Sequence, residues 1–285
     1  VEENLPFLAK CLMYIKSLEK EAPHIIKDRR PDAEWPEAGT IEFHGYSMHY
    51  RPELEPALKD VSFSVAGKEK IGVVGRTGSG KSSLIHAILC LVEPASGSIS
   101  IDGVDISTIG LHDLRSRMCI VPQTPLLFQG SIRKNLDPRG EHTDDEIWHA
   151  ICKAQLKEVV NVPTAGIGLD KWIRCDGTNL SAGQRQLVSL CRALLWCWRI
   201  LILDEATANI DSETDSVIQC ILRTEFANTT VITIAHRLNT VMDSDCILVM
   251  DSSTVAEFDT PSNLLARNGY FAQLVASMEF NEATG

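Results

Sequence analysis

Several features that mark other classes of protein are missing from this sequence. No uninterrupted apolar run approaches the roughly 18–20 residues that a membrane-spanning helix needs. The longest candidate, residues 193–198, is flanked by Arg192 and Arg199. No signal peptide is visible at the N-terminus. We therefore expect that nothing in this chain crosses a membrane by itself.

Positive charge is also scarce. The 285 residues include 27 Lys and Arg against 38 Asp and Glu, which gives a formal net charge of −11. Because binding DNA or RNA phosphates requires a basic face, this balance argues against a nucleic-acid partner, although a local basic patch would escape the count. The hydrophobic fraction of 44% is typical of a globular protein with one large domain or two small ones.

The cysteine spacing of disulfide frameworks and zinc sites is absent as well. The nine cysteines are scattered, with no C-x-x-C pair. Their number is odd, and several lie inside apolar runs such as residues 89–91. This pattern is typical of reduced core thiols in a cytosolic protein.

What the sequence does contain is a phosphate-binding motif. Residues 75–82 read GRTGSGKS and match the pattern G-x-x-x-x-G-K-[ST]. Residues 70–74 predict a buried strand before it, and residues 83–91 predict a helix that ends before Pro94. A strand, a glycine-rich turn and a helix start leave backbone N–H groups free for an anionic phosphate. We therefore predict that the chain binds a nucleoside triphosphate; a chance match in an ordinary glycine-rich turn is the alternative.

Residue types within this motif predict individual roles. Lys81 is expected to reach the β- and γ-phosphates as a point charge, and the Ser82 hydroxyl is expected to bind Mg²⁺. The glycines allow positive φ angles and close approach of the backbone. The predicted nucleotide contacts of this loop are Gly75, Arg76, Thr77, Gly78, Ser79, Gly80, Lys81, Ser82 and Ser83.

Polar residues also follow two further apolar segments. Residues 118–122 lead to Gln123, whose amide is predicted to bind Mg²⁺ and to sense the γ-phosphate; a loop glutamine with local partners is the alternative. Residues 230–235 predict a buried strand that ends at His236, which is predicted to hydrogen-bond a γ-phosphate oxygen.

Residues 200–203 are four consecutive aliphatics, which predict a strand buried on both faces as in a parallel sheet. The strand ends in two carboxylates. Asp204 is expected to hold the Mg²⁺ shell. Glu205 is expected to orient the attacking water or to accept its proton.

The flanking segments differ from this core. Residues 1–35 predict a helix end followed by an extended linker, with a disordered tail as the alternative, and the start without an initiator Met suggests a segment of a longer polypeptide. From Thr40, short alternating strands predict an antiparallel sheet beside the nucleotide core. Tyr50 follows one of these strands, where its ring is able to stack on adenine, although packing alone would also explain a tyrosine there.

A second helix start lies within the helix-rich residues 124–195. Ser181 is placed as an N-cap, and Ala182, Gly183 and Gln184 open the helix. A helix N-terminus of this kind is able to face a phosphate. Nothing local indicates whose phosphate it would face.

Together these motifs resemble the nucleotide-binding domain of ATP-binding-cassette (ABC) transporters, over about residues 37–280. They occur in the order of that family, and the signature separates it from other phosphate-loop ATPases. The matching elements are the aromatic loop at Tyr50, the phosphate loop at 75–82, the glutamine loop at Gln123, the signature at 180–184, the Asp204–Glu205 pair, the D-loop at Asp211 and the switch at His236.

The resemblance implies an α/β fold: a P-loop NTPase core of the ABC type with a mixed or parallel sheet, an antiparallel β subdomain and an inserted α-helical subdomain at about residues 124–195. Residues 36–285 would form this ATPase domain. Residues 1–35 would be the end of the last transmembrane helix and its linker.

Within the family, the chain looks like the second nucleotide-binding domain of the C branch, the multidrug-resistance-associated exporters. Residues 75–83, 126–138, 202–208 and 233–240 carry this resemblance. First domains of that branch typically have Asp at the position of Glu205. Two departures stand out. Ala182 stands where the general family pattern has glycine. Second domains of this branch also deviate at that position, so the residue fits the assignment, and it suggests a weaker site for the partner's nucleotide. The tract WCWR at residues 196–199 is unusual, and no role is predicted for it.

The resemblance also implies a mechanism, in which two such domains enclose two ATP molecules head to tail. Ser181, Ala182, Gly183 and Gln184 would then serve the nucleotide of the partner domain, with ATP and Mg²⁺ as cofactors. The implied function is an ATPase that powers export through the transmembrane domains of the same polypeptide, at the cytoplasmic face of a membrane. Two alternatives stay open: a regulatory domain that gates a channel or receptor of the same branch, and a soluble ABC protein of translation or DNA repair.

Overall fold

The computed structural model describes residues 21–51, 53–160, 168–206, 210–235 and 240–284. The strands are β1 (Ile41–Met48), β2 (Leu58–Val65), β3 (Lys70–Gly75), β4 (Ser96–Ile101), β5 (Val104–Asp105), β6 (Met118–Val121), β7 (Gly130–Ser131), β8 (Trp172–Ile173), β9 (Ile200–Asp204), β10 (Thr230–Ile234), β11 (Cys246–Asp251) and β12 (Thr254–Asp259). The α-helices are α1 (Lys81–Ile88), α2 (Leu111–Arg115), α3 (Ile132–Leu136), α4 (Asp144–Lys153), α5 (Lys157–Val160), α6 (Ala182–Trp196), α7 (Ser212–Thr224), α8 (Pro261–Ala266) and α9 (Tyr270–Thr284).

The largest sheet has six strands in the order β12-β11-β3-β10-β9-β6. All neighbouring pairs are parallel except the hairpin of β11 and β12. Ile200 and Ile202 of β9 belong to the core on one face, and Leu201 and Leu203 belong to the core on the other. The strand is therefore buried on both faces, as its unbroken aliphatic run predicts.

A second, antiparallel sheet has the order β2-β1-β4-β5. Its apolar residues share one core with α1 and with the six-stranded sheet, as Phe43, Leu84 and Ile202 illustrate. The predicted α/β fold with a mixed sheet and an antiparallel subdomain is confirmed. Shifts of register within β1 turn the strand before it ends at Met48, two residues ahead of Tyr50.

Helices α3 to α6 occupy the segment that the sequence predicts to be helical, together with a two-stranded ladder of β7 and β8. Helix α4 begins with a capping box, in which the side chains of Thr143 and Glu146 each accept a bond from the other's backbone N–H. The apolar faces of α4 and α6 pack in one core with the outer face of β9. This arrangement connects the helical segment directly to the strand that ends at Asp204.

Residues 21–35 are packed against the domain. The Trp35 side chain is buried, and its indole N–H donates to the carbonyl of Ile101 (3.0 Å). Arg30 forms an ion pair with Asp113 of α2 (2.7 Å). The predicted helix end lies mostly in residues 1–20, outside the described residues. No helix in the part of the chain that the structure describes is long and apolar enough to span a membrane.

The cysteines differ from the expectation of core thiols. The eight that the structure describes are free, but only Cys191 is fully buried. Cys152, Cys175, Cys197 and Cys220 are exposed. A core position is wrong for these four, because helix faces and turns carry them to the surface.

The unusual tract after α6 has a structural explanation. Trp196 is the last residue of the helix, and Cys197 follows it in the left-handed region with φ 50°. The Trp196 ring stacks on Trp198 (centroids 6.1 Å apart) and contacts the His142 ring edge-on (4.7 Å). The Arg139 guanidinium lies 5.4 Å from the ring centroid of Trp196, within cation–π range. The tract thus packs the end of α6 against the loop between α3 and α4.

Candidate functional site

A cleft of about 610 Å³ opens where β3, β9 and β10 end. Because parallel strands end at the same edge of a sheet, the segments that follow them emerge side by side. The cleft is lined by Tyr50, Ala57, Val74, Gly75, Arg76, Thr77, Gly78, Gly80, Lys81, Ser82, Ser83, Glu205, Ala235, Ser253, Leu274 and Ser277. Of the predicted loop contacts only Ser79 is outside this lining; its side chain is buried and its hydroxyl has no hydrogen-bond partner among the described residues.

The phosphate loop joins β3 to α1, and two of its glycines are required by their surroundings. A Cβ atom on Gly75 would lie 2.2 Å from the carbonyl oxygen of Met250. Gly80 has φ 103° and is the N-cap of α1, without any side-chain cap bond. The first N–H groups of the helix therefore have no competing side-chain acceptor at the cap, which suits an anionic ligand.

Lys81 is half-buried at the start of α1. Its ammonium donates to the carbonyl oxygens of Gly75 (2.8 Å) and Arg76 (3.1 Å). Burial lowers the pKa of Lys81, and the negative charge of Glu205 partly opposes that shift. The lysine is thus held over its own loop by neutral acceptors, which phosphate oxygens would replace as stronger, charged acceptors.

Asp204 and Glu205 follow β9 with different environments. Burial, and next the charge of Glu205, raises the pKa of Asp204, while His86 opposes the shift. Glu205 has φ 46°, a left-handed conformation that costs a non-glycine residue roughly 1–2 kcal/mol. Its backbone N–H donates to the carbonyl of Ile234 (3.0 Å). The strained backbone turns Glu205 into the lining of the cleft.

Gln123 lies beside Glu205. It follows β6, the neighbour of β9 in the sheet, and its side-chain amide donates to a carboxylate oxygen of Glu205 (2.9 Å). The structure therefore brings together two residues that are 82 positions apart. The bond leaves the amide oxygen of Gln123 available as a cation ligand.

Tyr50 also lines the cleft, with 46% of its surface exposed. Its hydroxyl is within hydrogen-bond distance of Ser83 Oγ (3.0 Å) and His86 Nδ1 (2.8 Å). The sequence motif predicts Ser83 as a loop contact but gives no reason to connect Tyr50 with His86.

His236 lies outside the described residues. The strand before it, β10, lies between β3 and β9 and ends at Ile234, and Ala235 lines the cleft. The predicted role of His236 on the γ-phosphate stays a prediction.

The signature residues open α6 away from this cleft. Ser181 is the N-cap: its hydroxyl accepts from the N–H of Gln184 (3.1 Å), and the Gln184 side chain accepts from the N–H of Ser181 (3.0 Å). None of Ser181, Ala182, Gly183 and Gln184 is among the described residues that line the cleft. The start of α6 is therefore separate from this cleft within the chain.

Gly183 and Asp211 both contact the same residue, Thr214. Asp211 is the N-cap of α7 and accepts bonds from the backbone N–H (2.8 Å) and the hydroxyl (3.0 Å) of Thr214. These bonds lower the pKa of Asp211. A Cβ atom on Gly183 would lie 2.4 Å from the Thr214 methyl carbon. The start of α6 thus packs directly on the start of α7.

Sequence analysis misses several residues of the site. Ser253 belongs to the turn between β11 and β12, and its N–H donates to the carbonyl of Ser79 in the phosphate loop (3.2 Å). Leu274 and Ser277 of α9 also line the cleft. Gln186 of α6 is buried and donates to the carbonyl oxygens of Pro122 and Gln123, both at 3.1 Å. Ser253, Leu274 and Ser277 lie far along the chain from the motifs, so no local pattern could have found them. Gln186 lies two residues after the signature, but only the packing of α6 on β6 brings it to Gln123.

The donor atoms at this edge suit a hard divalent cation. In the described part of the chain, no group of three His, Cys, Asp or Glu residues stands close enough to hold a metal. Mg²⁺ does not need such a cluster, since it binds through one or two oxygen ligands together with substrate phosphates. The Asp204 carboxylate, the Ser82 hydroxyl and the Gln123 amide are oxygen ligands of the required type.

Comparison with known proteins agrees with this geometry. A family model described as ABC transporter matches residues 58–208, slightly more than half of the chain. The human protein ATP-binding cassette sub-family C member 3 is 50% identical over 271 residues, which are 95% of this chain and 18% of that protein. ABC transporter C family member 5 of Arabidopsis thaliana is 55% identical over 256 residues, 90% of this chain and 17% of that protein. The chain thus spans less than a fifth of the length of these relatives.

A solved structure is similar over nearly the whole chain. It is titled a bacterial Atm1-family ABC exporter with ATP bound, and it matches with a TM-score of 0.86 and 29% sequence identity over 98% of this chain and 48% of that one. The resemblance inferred from the motifs is confirmed. The chain belongs to the ABC transporter family as a nucleotide-binding domain, and both relatives named above are members of sub-family C.

Proposed function

We propose that the chain binds Mg·ATP in the cleft and hydrolyses it, as the second nucleotide-binding domain of an exporter. The observation that carries this proposal is that Lys81, Ser82 and Glu205 line one cleft, with Gln123 bonded to Glu205 beside it. In the full-length protein this domain lies at the cytoplasmic face of a membrane. Its hydrolysis powers transport through transmembrane domains of the same polypeptide.

Binding depends on the phosphate loop. The free N–H groups at the start of α1 and the ammonium of Lys81 hold the phosphates, and the Tyr50 ring stacks on adenine. Lys81 exchanges its bonds to the Gly75 and Arg76 carbonyls for bonds to phosphate oxygens. The exchange is favourable because a phosphate oxygen carries negative charge and attracts the ammonium more strongly than a neutral carbonyl oxygen does.

Turnover depends on Glu205. Its carboxylate orients the attacking water and accepts a proton from it, and the Gln123 amide holds the carboxylate through its bond of 2.9 Å. Ser82, Gln123 and Asp204 would hold Mg²⁺, which would supply positive charge to the phosphates. Burial raises the pKa of Asp204 and so favours its neutral form. A cation beside this carboxylate would oppose that shift and favour the ionised form. His236 stabilises charge on the γ-phosphate.

The signature helix serves a second nucleotide. In a head-to-tail pair of nucleotide-binding domains, Ser181, Ala182, Gly183 and Gln184 face the ATP held by the partner domain, and Asp211 lies in the same interface. The two cap bonds use the acceptor atoms of Ser181 and Gln184. The hydroxyl proton of Ser181 and the amide protons of Gln184 remain as donors for a phosphate.

The substitution Glu205→Gln tests this function. It retains the shape of the side chain and removes the charge, so the variant is expected to bind Mg·ATP with unchanged affinity and to lose at least about 99% of its turnover, the size typical of a missing general base. Phosphate release is measured with the partner domain present. Glu158→Gln, an exposed glutamate of α5, is the matched control and retains activity. Undiminished hydrolysis in Glu205→Gln would falsify the role, and a chain without affinity for Mg·ATP would end the proposal itself.

A further inference from the structure

The contact between Tyr50 and α1 has no counterpart among the motifs. Tyr50 lies beyond the end of β1, and its hydroxyl reaches two residues of α1, Ser83 at 3.0 Å and His86 at 2.8 Å. Residues three apart lie on the same face of a helix, so α1 presents both partners together. The rings of Tyr50 and His86 meet edge-on, with centroids 5.8 Å apart.

Two partners hold a tyrosine hydroxyl more firmly than one. The hydroxyl has one proton to donate and lone pairs to accept with. If His86 Nδ1 carries its proton, it donates to Tyr50, and Tyr50 donates to Ser83. If Nδ1 is unprotonated, Tyr50 donates to it and accepts from Ser83. In both cases the hydroxyl is bound as donor and as acceptor, which fixes its position and therefore the direction in which the ring extends. The edge-on contact with the His86 ring restrains the plane of the Tyr50 ring.

The ring needs this support because little else restrains it. Nearly half of its surface is exposed, and it belongs to an irregular segment that follows β1. Ordering a free side chain on binding costs conformational entropy, so a ring that is already held binds a ligand more tightly. This ordering is done by residues of the chain before any nucleotide arrives.

We propose that His86 is a positioning residue of the nucleotide site, which holds the Tyr50 hydroxyl and so presents the Tyr50 ring to the base. The inference rests on the proposed binding of ATP in this cleft. His86 does not line the cleft among the described residues, and it acts through Tyr50. The base-bearing part of the ligand, rather than its phosphates, is what His86 affects.

Binding of two ligands separates this role from a general effect on the site. We would measure the affinity of the chain for Mg·ATP and for Mg·tripolyphosphate, which has phosphates and no base. His86→Leu is expected to weaken ATP binding about three- to tenfold, the size of one net hydrogen bond, and to leave tripolyphosphate binding unchanged. Tyr50→Phe is expected to have the same effect, and the double variant is expected to be no worse than either one.

Two further variants complete the test. His86→Asn retains a polar group near the position of Nδ1 and is expected to restore most of the ATP affinity. His149→Leu, an exposed histidine of α4, is the control for the loss of a histidine and is expected to bind as the parent chain does.

Each contrary result is distinct. Equal weakening of ATP and tripolyphosphate would show that His86 acts on the phosphates or, through its charge, on Asp204, and would overturn the proposal. Unchanged ATP affinity in His86→Leu and Tyr50→Phe would overturn it while leaving the nucleotide site intact. A parent chain that binds neither ligand would overturn the proposed function as well. If His86→Leu does not fold, Tyr50→Phe decides the matter, because an unchanged ATP affinity in that variant would overturn the proposal.

Discussion

Two helix starts of this molecule are built in opposite ways. Helix α1 begins at Gly80, whose conformation is left-handed and which offers no side chain as a cap. Helix α6 begins at Ser181, where a capping box with Gln184 satisfies two backbone N–H groups. The first leaves its N–H groups free for a ligand of its own domain. The second is complete without a ligand and offers side-chain protons to a different molecule.

This difference suits the two proposed roles. A phosphate site that must work inside one domain needs unoccupied donors before the ligand arrives. A surface that contacts a nucleotide only after two domains meet has to be stable while it faces solvent, and the capping box provides that stability. The contrast predicts that substitutions at the start of α1 weaken ATP binding by the single domain. Substitutions at the start of α6 should instead affect turnover, which needs two domains.

The largest effect is expected at the phosphate loop. Lys81→Met removes the ammonium while leaving an unbranched side chain, so Mg·ATP affinity of the chain should fall by about 1.5–3 kcal/mol, or roughly ten- to hundredfold. Titration with a fluorescent ATP analogue measures the change. Lys59→Met, at a lysine of β2 whose side chain is 43% exposed, is the control. An affinity equal to that of the parent chain would mean that the two helix starts do not differ in the way described.

The next effect concerns the packing beneath the signature. Gly183→Ala places a Cβ atom where the Thr214 methyl lies at 2.4 Å, and overpacking of this kind costs about 1–3 kcal/mol of the free energy of unfolding. The reverse change one residue earlier, Ala182→Gly, costs at most about 1 kcal/mol, the difference in helix propensity. Urea denaturation of the two variants compares them. Equal losses would contradict the close contact of α6 with α7.

The smallest effect is expected at Ser181, where two substitutions distinguish the capping hydrogen bond from the interaction with a phosphate. Ser181→Ala removes the cap and should lower the free energy of unfolding by about 1 kcal/mol. Ser181→Asp retains an N-cap acceptor and should keep that stability, but its negative charge repels a phosphate, so only turnover with the partner domain should fall. ATP affinity of the single chain should not change in either variant. A fall in that affinity would mean that Ser181 acts on the nucleotide of its own domain, which would contradict its proposed role at the partner's nucleotide.

Much of the site was predictable because its determinants are local. The nine predicted contacts, Gly75 to Ser83, are contiguous and run into the first turn of a helix, and eight of them line the cleft. The capping box of Ser181 and Gln184 spans one helical turn, so spacing alone reveals it. Ile200 to Leu203 indicate a strand buried on both faces, because an unbroken aliphatic run has no polar side to expose.

Other features were decided by packing between distant segments. The strand order brings Gln123 to Glu205, and the turn at Ser253 reaches the phosphate loop only because β11 pairs with β3. The exposure of four cysteines likewise depends on which face of an element turns outward.

The sequence by itself determined the elements and the chemistry of this protein: a phosphate loop, two carboxylates after a buried strand, and a capped helix start. These depend on residues within one strand or one helical turn of each other, whose geometry the backbone dictates. Only the tertiary structure decided which side chains meet, such as Tyr50 with His86 and Gly183 with Thr214. Such contacts follow from the register and packing of whole elements, which local spacing does not encode.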